Sequence, residues 1–177
     1  MNPVTHLHEI IAVSGLIHKK VNCDGDTKLD DPAATGVFAF VRQLGNSCGP
    51  QFPSLFPHDL KEELKKTNGK IKAFTSEREL LSCFLACVQQ NDPDIFASHN
   101  LLGFEFEVLL ARCVYQKLPN WHVLGRLRKT KIPKNISQKE IGDASVGRIL
   151  CDTYKVCACV WCASVWGWGG VGCYYCC

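Results

Sequence analysis

The chain opens with a run of branched residues at positions 9–17 (Glu9-Ile10-Ile11-Ala12-Val13-Ser14-Gly15-Leu16-Ile17), closed by His18-Lys19-Lys20, which predicts a strand. A polar loop over residues 22–34 leads to a second apolar run, Val37-Phe38-Ala39-Phe40-Val41. The two runs predict an antiparallel hairpin with a long connection and no fixed register. Residues 45–57, rich in proline and glycine, read as loop, with Phe52 and Phe56 folding back on the core. Residues 59–66 predict a short charged helix with Leu60 and Leu64 as its stripe, ended by Gly69, and residues 71–74 predict a small strand. Ser76-Glu77-Arg78-Glu79 has capping-box spacing, the Ser76 hydroxyl accepting from the Glu79 N–H while the carboxylate reaches back. It opens a helix whose apolar face is Leu80, Leu81, Phe84, Leu85, Cys87 and Val88, ending near Asn91.

The next stretch, residues 92–112, organises the rest. Pro93 and its acidic neighbours stop the helix, Ile95-Phe96-Ala97 has strand character, and Ser98-His99-Asn100 with Gly103 is turn chemistry. A helix follows on Phe104, Val108 and Ala111, with Leu109 and Leu110 beside them and Glu105 and Glu107 in its first turn, where carboxylates are favoured. A strand end facing a helix start can hold a carboxylate over a divalent metal. The simpler roles are a capping or solvated carboxylate for Glu105 and local backbone hydrogen bonding for His99 and Asn100. Strands first, then helices alternating with strands, give an α/β layered domain with a mixed sheet.

Composition adds bounds. The 177 residues are 46% hydrophobic and 21% charged with a net charge of +3, which fits one globular domain. The basic excess is compatible with nucleic acid without demanding it. The apolar run 10–17 is short, interrupted by Ser14 and Gly15, and preceded by His6, His8 and Glu9, so no signal peptide is read and reduced, intracellular cysteines are expected. The most basic stretch, residues 121–139, carries Arg126, Arg128, Lys129, Lys131, Lys134 and Lys139 with Trp121, Leu127 and Ile132 between them. Such a strip binds phosphates and its aromatic is placed to stack on a base, although exposed loop lysines leave the same pattern. Asp24-Gly25-Asp26 reads as a turn, since the later ligands of a calcium loop are missing, and Cys83 with Cys87 as core thiols.

Asp92-Pro93-Asp94-Ile95, His99-Asn100, Gly103-Phe104-Glu105, Val108-Leu109-Leu110, Trp121, Gly125-Arg126-Leu127 and Gly147-Arg148-Ile149-Leu150-Cys151-Asp152 form an ordered series. It resembles the second exonuclease motif and its surroundings in the alpha branch of the family B DNA polymerases. The resemblance implies a ribonuclease H-like (exonuclease-like) α/β domain with a mixed sheet, truncated at both ends, over residues 1–155. It also implies a setting in DNA replication in the nucleus, on DNA or an RNA–DNA primer-template, with primase and the alpha accessory subunit as partners. The family's polymerase uses Mg2+, but the palm aspartates that bind it are absent from these residues, so no primer extension is expected.

The exonuclease motif is degenerate as well. Asn100 and Phe104 match, but Glu105 stands where proofreading members have Asp, no Asp-x-Glu precedes Glu9, and no acid follows Tyr154. Two-metal hydrolysis needs several carboxylates converging on sites roughly 4 Å apart. No catalytic residue, metal or cofactor is therefore assigned to this stretch. The expected function is a non-catalytic, nucleic-acid-binding domain using Arg126, Arg128, Lys129, Lys131 and Lys134. A stand-alone scaffold or binding module is the alternative, with a 3′–5′ exonuclease behind it.

Residues 156–177 have no charge, six of the 12 cysteines and three of the 4 tryptophans. Cys159, Cys162, Cys173 and Cys176 have zinc-ribbon spacing, but no polar residues surround them to support a metal site. Valine, cysteine, tryptophan and glycine are what a guanine- and thymine-rich repeat encodes. The tail therefore reads as translated intron rather than a domain, and its glycines and short length speak against a membrane helix.

Overall fold

A computed structural model describes residues 9–19, 21, 35–43, 56–67, 69–129, 131 and 136–154. The Asp24-Gly25-Asp26 turn, Phe52, Lys134 and the cysteine-rich tail lie outside the described residues.

The expected hairpin is present, and its register is set. Strand β1 (Ala12–His18) pairs antiparallel with β2 (Thr35–Arg42), Ala12 opposite Val41 and His18 opposite Thr35. Gly15 lies opposite Phe38, where a Cβ would meet the Phe38 ring at 2.8 Å. The glycine thus leaves the ring room against Phe40 and Phe84, at centroid distances of 5.0 and 6.3 Å. Helix α1 (Phe56–Lys66) then crosses over, so that β3 (Ile71–Phe74) returns parallel to β2 and completes a sheet in the order β1-β2-β3. Pro57 sits in the first turn of α1, where its missing N–H costs nothing, and the helix starts earlier than the expected residue 59.

Helix α2 (Glu77–Asn91) is the spine of the core. The Glu79 N–H donates to the Ser76 hydroxyl (3.2 Å), as the capping spacing requires, while the Glu79 carboxylate accepts from the Thr75 N–H and hydroxyl. Leu80, Leu81, Phe84, Leu85 and Val88 are buried, as their periodicity predicts, and Cys83 and Cys87 are half-buried free thiols. The fully buried Cys113 thiol is pushed up to about 12 by burial, so it is held as an inert thiol.

A mixed sheet was expected, and β1-β2-β3 is one, antiparallel on one side of β2 and parallel on the other. Among the described residues there are two sheets, because β4 (Ile95–Ser98) pairs in parallel only with β5 (Ile149–Asp152). Between them lie a wide helical turn (Leu101–Glu105), α3 (Phe106–Tyr115), a 3₁₀ turn (Pro119–Leu124) and α4 (Gln138–Ala144). Helix α4 was not anticipated, although its reciprocal Ser137–Glu140 capping box is legible in the sequence. Trp121 corrects another expectation. It is 2% exposed in the core with Leu118 and Leu124, so its indole cannot stack on a base.

The buried polar centre is Glu77. Its carboxylate accepts from the Ile10 N–H (2.8 Å), from Arg112 Nε (2.8 Å) and Nη2, and from the Gln116 amide (2.7 Å). Burial alone raises a carboxyl, but these donors, Arg112 first, outweigh it and hold Glu77 below the ordinary range. The hydrogen bonds to Glu77 hold Arg112 above its own ordinary value. Breaking such a pair leaves one charge buried alone, at a cost of about 3–5 kcal/mol. Glu77→Ala and Arg112→Met are each expected to lower unfolding free energy by about that amount, measured by urea denaturation, with the double variant losing much less than the sum.

Candidate functional site

The C-terminal ends of β4 and β5 meet at the turn that carries the expected motif. Asn100 adopts the left-handed conformation (φ 58, ψ 36), which Asn enters more readily than most residues with a Cβ. Its carbonyl accepts from both the Phe104 N–H (3.1 Å) and the Glu105 N–H (3.3 Å), and the Leu101 carbonyl accepts from the Phe106 N–H. Five-residue spacing makes this a π-type turn, wider than an α-helical one. A Cβ at Gly103 would meet the Asn100 Oδ1, so any larger residue there makes the Asn100 side chain swing away.

That width changes which aromatic faces the core. The expected stripe began at Phe104, but Phe104 is 54% exposed and Phe106 is 2% exposed. The residue added by the wide turn rotates the following helix, and the buried stripe becomes Phe106, Leu110 and Cys113. Glu105 is carried outward with Phe104 and is exposed. His99 lies edge-on to the Tyr154 ring at 5.2 Å.

Asp152 occupies the start of the helix. This acid, at the end of β5 and buried, accepts from the Leu102 N–H (3.0 Å) and the Tyr154 N–H (3.1 Å). Burial opposes its ionisation, but the backbone N–H groups of Leu102, Tyr154, Asn100 and Leu101 together hold its carboxyl below the ordinary range. An internal carboxylate thus sits where a helix N-terminus would otherwise attract an external anion. Sequence reasoning assigned Asp152 no role. Its one signal was an acid closing the apolar run Ile149-Leu150-Cys151.

The donor set does not suit the Mg2+ that the resemblance implies for the parent family. Among the described residues no three His, Cys, Asp or Glu side chains converge. The Asp152 oxygens are taken by backbone N–H groups, and Glu105 lies on the outward side of the wide turn.

A second charged cluster joins the end of α2 to the loops before and after α4. Arg126 Nε donates to Asp92 Oδ1 (3.1 Å), Nη2 to Asp94 Oδ1 (2.6 Å) and the Asp92 carbonyl (3.1 Å), and Nη1 to the Gly147 carbonyl (3.2 Å). Arg148, its side chain 2% exposed, pairs with Asp92 Oδ1 (2.8 Å) and donates to the carbonyls of Pro93, Val123 and Gly125. The hydrogen bond from Arg126 leads the interactions that hold Asp92 below the usual carboxylate range, and Asp92 in turn raises Arg126. Of the basic strip, Arg126 is therefore committed. Arg128 and Lys131 are exposed and Lys129 half-buried, and none of the three makes an ion pair with a described residue. Lys139 is exposed on α4.

A carboxyl depressed in the folded state contributes stability that is complete above its ordinary range, about 4, and is lost as pH falls through the depressed value. Asp152 and Glu77 therefore make the fold acid-labile. Asp152→Asn is expected to be less stable at neutral pH and to show a flatter acid limb when urea midpoints are followed from neutral into acid. An acid limb as steep as that of the unaltered chain would show that the Asp152 carboxylate is not held by these N–H groups.

Comparison with known proteins agrees with the ordered series of residues around this turn. The family described as DNA polymerase family B, exonuclease domain, matches residues 1–159. The chain is 38% identical over 153 residues to the DNA polymerase alpha catalytic subunit of Mus musculus, covering 85% of this chain and 10% of that relative. It is 35% identical over 153 residues to that of Xenopus laevis, covering 85% and 10%, and 33% identical over 152 residues to that of Dictyostelium discoideum, covering 85% and 9%. The chain thus spans about a tenth of the length of the curated relatives it matches. With the β4 turn, the helix behind it and the strand ending in Asp152 inside the matched region, the chain belongs to the exonuclease-domain family of the family B DNA polymerases.

Proposed function

We propose that this chain is a non-catalytic, exonuclease-like domain of the polymerase alpha type, with a ribonuclease H-like fold of which β1-β2-β3 and β4-β5 are parts. It binds the sugar-phosphate backbone of DNA or of an RNA–DNA primer-template. The setting is replication in the nucleus, beside primase and the polymerase alpha accessory subunit. The reading is carried by one observation. Beside the Asp92 and Asp94 carboxylates, which Arg126 and Arg148 occupy, Arg128, Lys129 and Lys131 follow in the chain and make no ion pair with a described residue. Clustered cations on a loop beside a rigid element supply affinity through counterion release, without sequence specificity. Lys134 belongs to the same run in sequence.

Hydrolysis has no comparable support, since Glu105 stands apart from any convergent acid set among the described residues. No Mg2+- or Mn2+-dependent degradation of single-stranded DNA is expected. Degradation that disappears in Glu105→Ala would make the domain a nuclease.

Binding is tested by fluorescence anisotropy on a short single-stranded oligonucleotide across a salt series. Weak affinity is expected, with log K falling linearly in log salt by about 0.7 per phosphate neutralised. Exchange of Arg128, Lys129 and Lys131 for Gln together is expected to flatten the slope by about 2. An unchanged slope would reduce the strip to ordinary solvated surface.

A further inference from the structure

We infer that Asp94 and Arg126 are a positioning pair, which fixes the loop carrying Arg128, Lys129 and Lys131 so that its cations present together to a phosphate backbone. The inference rests on the nucleic-acid-binding reading and assigns Arg126 a different task within it, holding rather than contacting.

The hydrogen-bond count makes the case. A guanidinium has five N–H donors, and recognises phosphate through two parallel N–H groups along one edge. Both edges of the fork that involve Nη2 are closed at Arg126, because Nη2 serves the Asp94 carboxylate and the Asp92 carbonyl while Nε serves Asp92 Oδ1 and Nη1 the Gly147 carbonyl. Two of those four acceptors are carbonyls. A charge that was only being neutralised would need none, whereas backbone acceptors fix where the guanidinium must lie. The stem is placed too, since the Arg126 N–H donates to the Val146 carbonyl (2.8 Å) and a Cβ at Gly147 (φ 89) would meet the Arg126 Cβ at 2.8 Å. Arg126 is therefore sewn to the end of α2 and to the residues just before β5, and the chain leaves it toward Leu127 and Arg128 in a set direction.

Asp94 is the separable half of the pair. Its side chain is 81% exposed and pairs, among the described residues, with Arg126, whereas Asp92 also pairs with Arg148. Removing an exposed acid beside a cationic strip raises the local positive potential, so unaided electrostatics predicts tighter DNA binding. Positioning predicts the reverse.

The experiment uses the full chain with Asp94→Asn and, separately, Arg126→Lys, which keeps the charge but replaces the planar fork with a single ammonium. Two readings are taken: anisotropy with a single-stranded oligonucleotide across a salt series, and the rate of tryptic cleavage after Arg128 and Lys129. Both variants are expected to bind several-fold more weakly with an unchanged salt slope, and to be cleaved several-fold faster. Equal or tighter binding by either variant, a slope that falls in Arg126→Lys, or an unaltered cleavage rate overturns the inference. Absence of binding by the unaltered chain refutes the functional reading itself, and the DNA role of the pair with it; faster cleavage in that case still identifies the clasp as purely structural.

Discussion

One carboxylate sets the relation between the two halves of this fold. Glu77 collects donors from the residue before the hairpin and from the end of α3, and it does so from the first turn of α2, where the helix dipole favours a negative charge. Leucines make the core around it, and their attraction is non-directional, so they fill space without choosing one rotation of α2 over another. The Glu77 network chooses. Arg112 is further confined by the Tyr115 ring, 4.4 Å from its guanidinium carbon. Sliding α3 by one residue, or lifting Ile10 from its place, would leave a buried charge short of partners.

The second sheet depends on that frame and adds side-chain ties of its own. Two parallel strands of four residues each are too small to stand alone in water. At one end Arg148 draws in the carbonyls of Pro93, Val123 and Gly125, and the Ile149 N–H donates to the Asp94 carbonyl (2.8 Å). At the other, Asp152 is bound into the turn after β4, and the Thr153 hydroxyl donates to the Ser98 carbonyl (3.2 Å). The polar groups with the best access to the strand ends are consumed in keeping the strands together.

Much of the fold was legible because its signals are local. The periodicity and cap of α2, the four residues of β3 and the hairpin all follow from neighbours in sequence. Errors arose where a distant partner decided. Phe104 and Phe106 are equally apolar on paper, and only the five-residue turn, closed by the Asn100 and Leu101 carbonyls, decides which is buried. Arg126 reads like its basic neighbours, but acids 34 and 32 residues away claim it. Trp121 looked available because it stands beside a charged run, yet the 3₁₀ turn lays it in the core. Asp152 was hidden for a different reason, since acids that close strands are common and three of its four N–H partners, Asn100, Leu101 and Leu102, belong to a distant turn of unusual width. The family resemblance located the right stretch but not the allocation of its hydrogen bonds.

That allocation explains why the shape of the turn, more than the identity of residue 105, governs its chemistry. Shortening Glu105 to Asp would move its oxygens by about one bond, roughly 1.5 Å, while the side chain would still leave the outward side of the π-type turn. Asp152 would still be satisfied by backbone N–H groups, and a metal would have to displace them, exposing helix-start donors in a part-buried site. Bringing Glu105 and Asp152 toward one ion would require a different start to α3 and an Asp152 freed from its N–H partners. The change of turn acts against the packing of Phe106, because the added residue that rotates Glu105 out is the same one that rotates Phe106 in. The burial of Phe106 and the outward position of Glu105 thus have a common geometric cause.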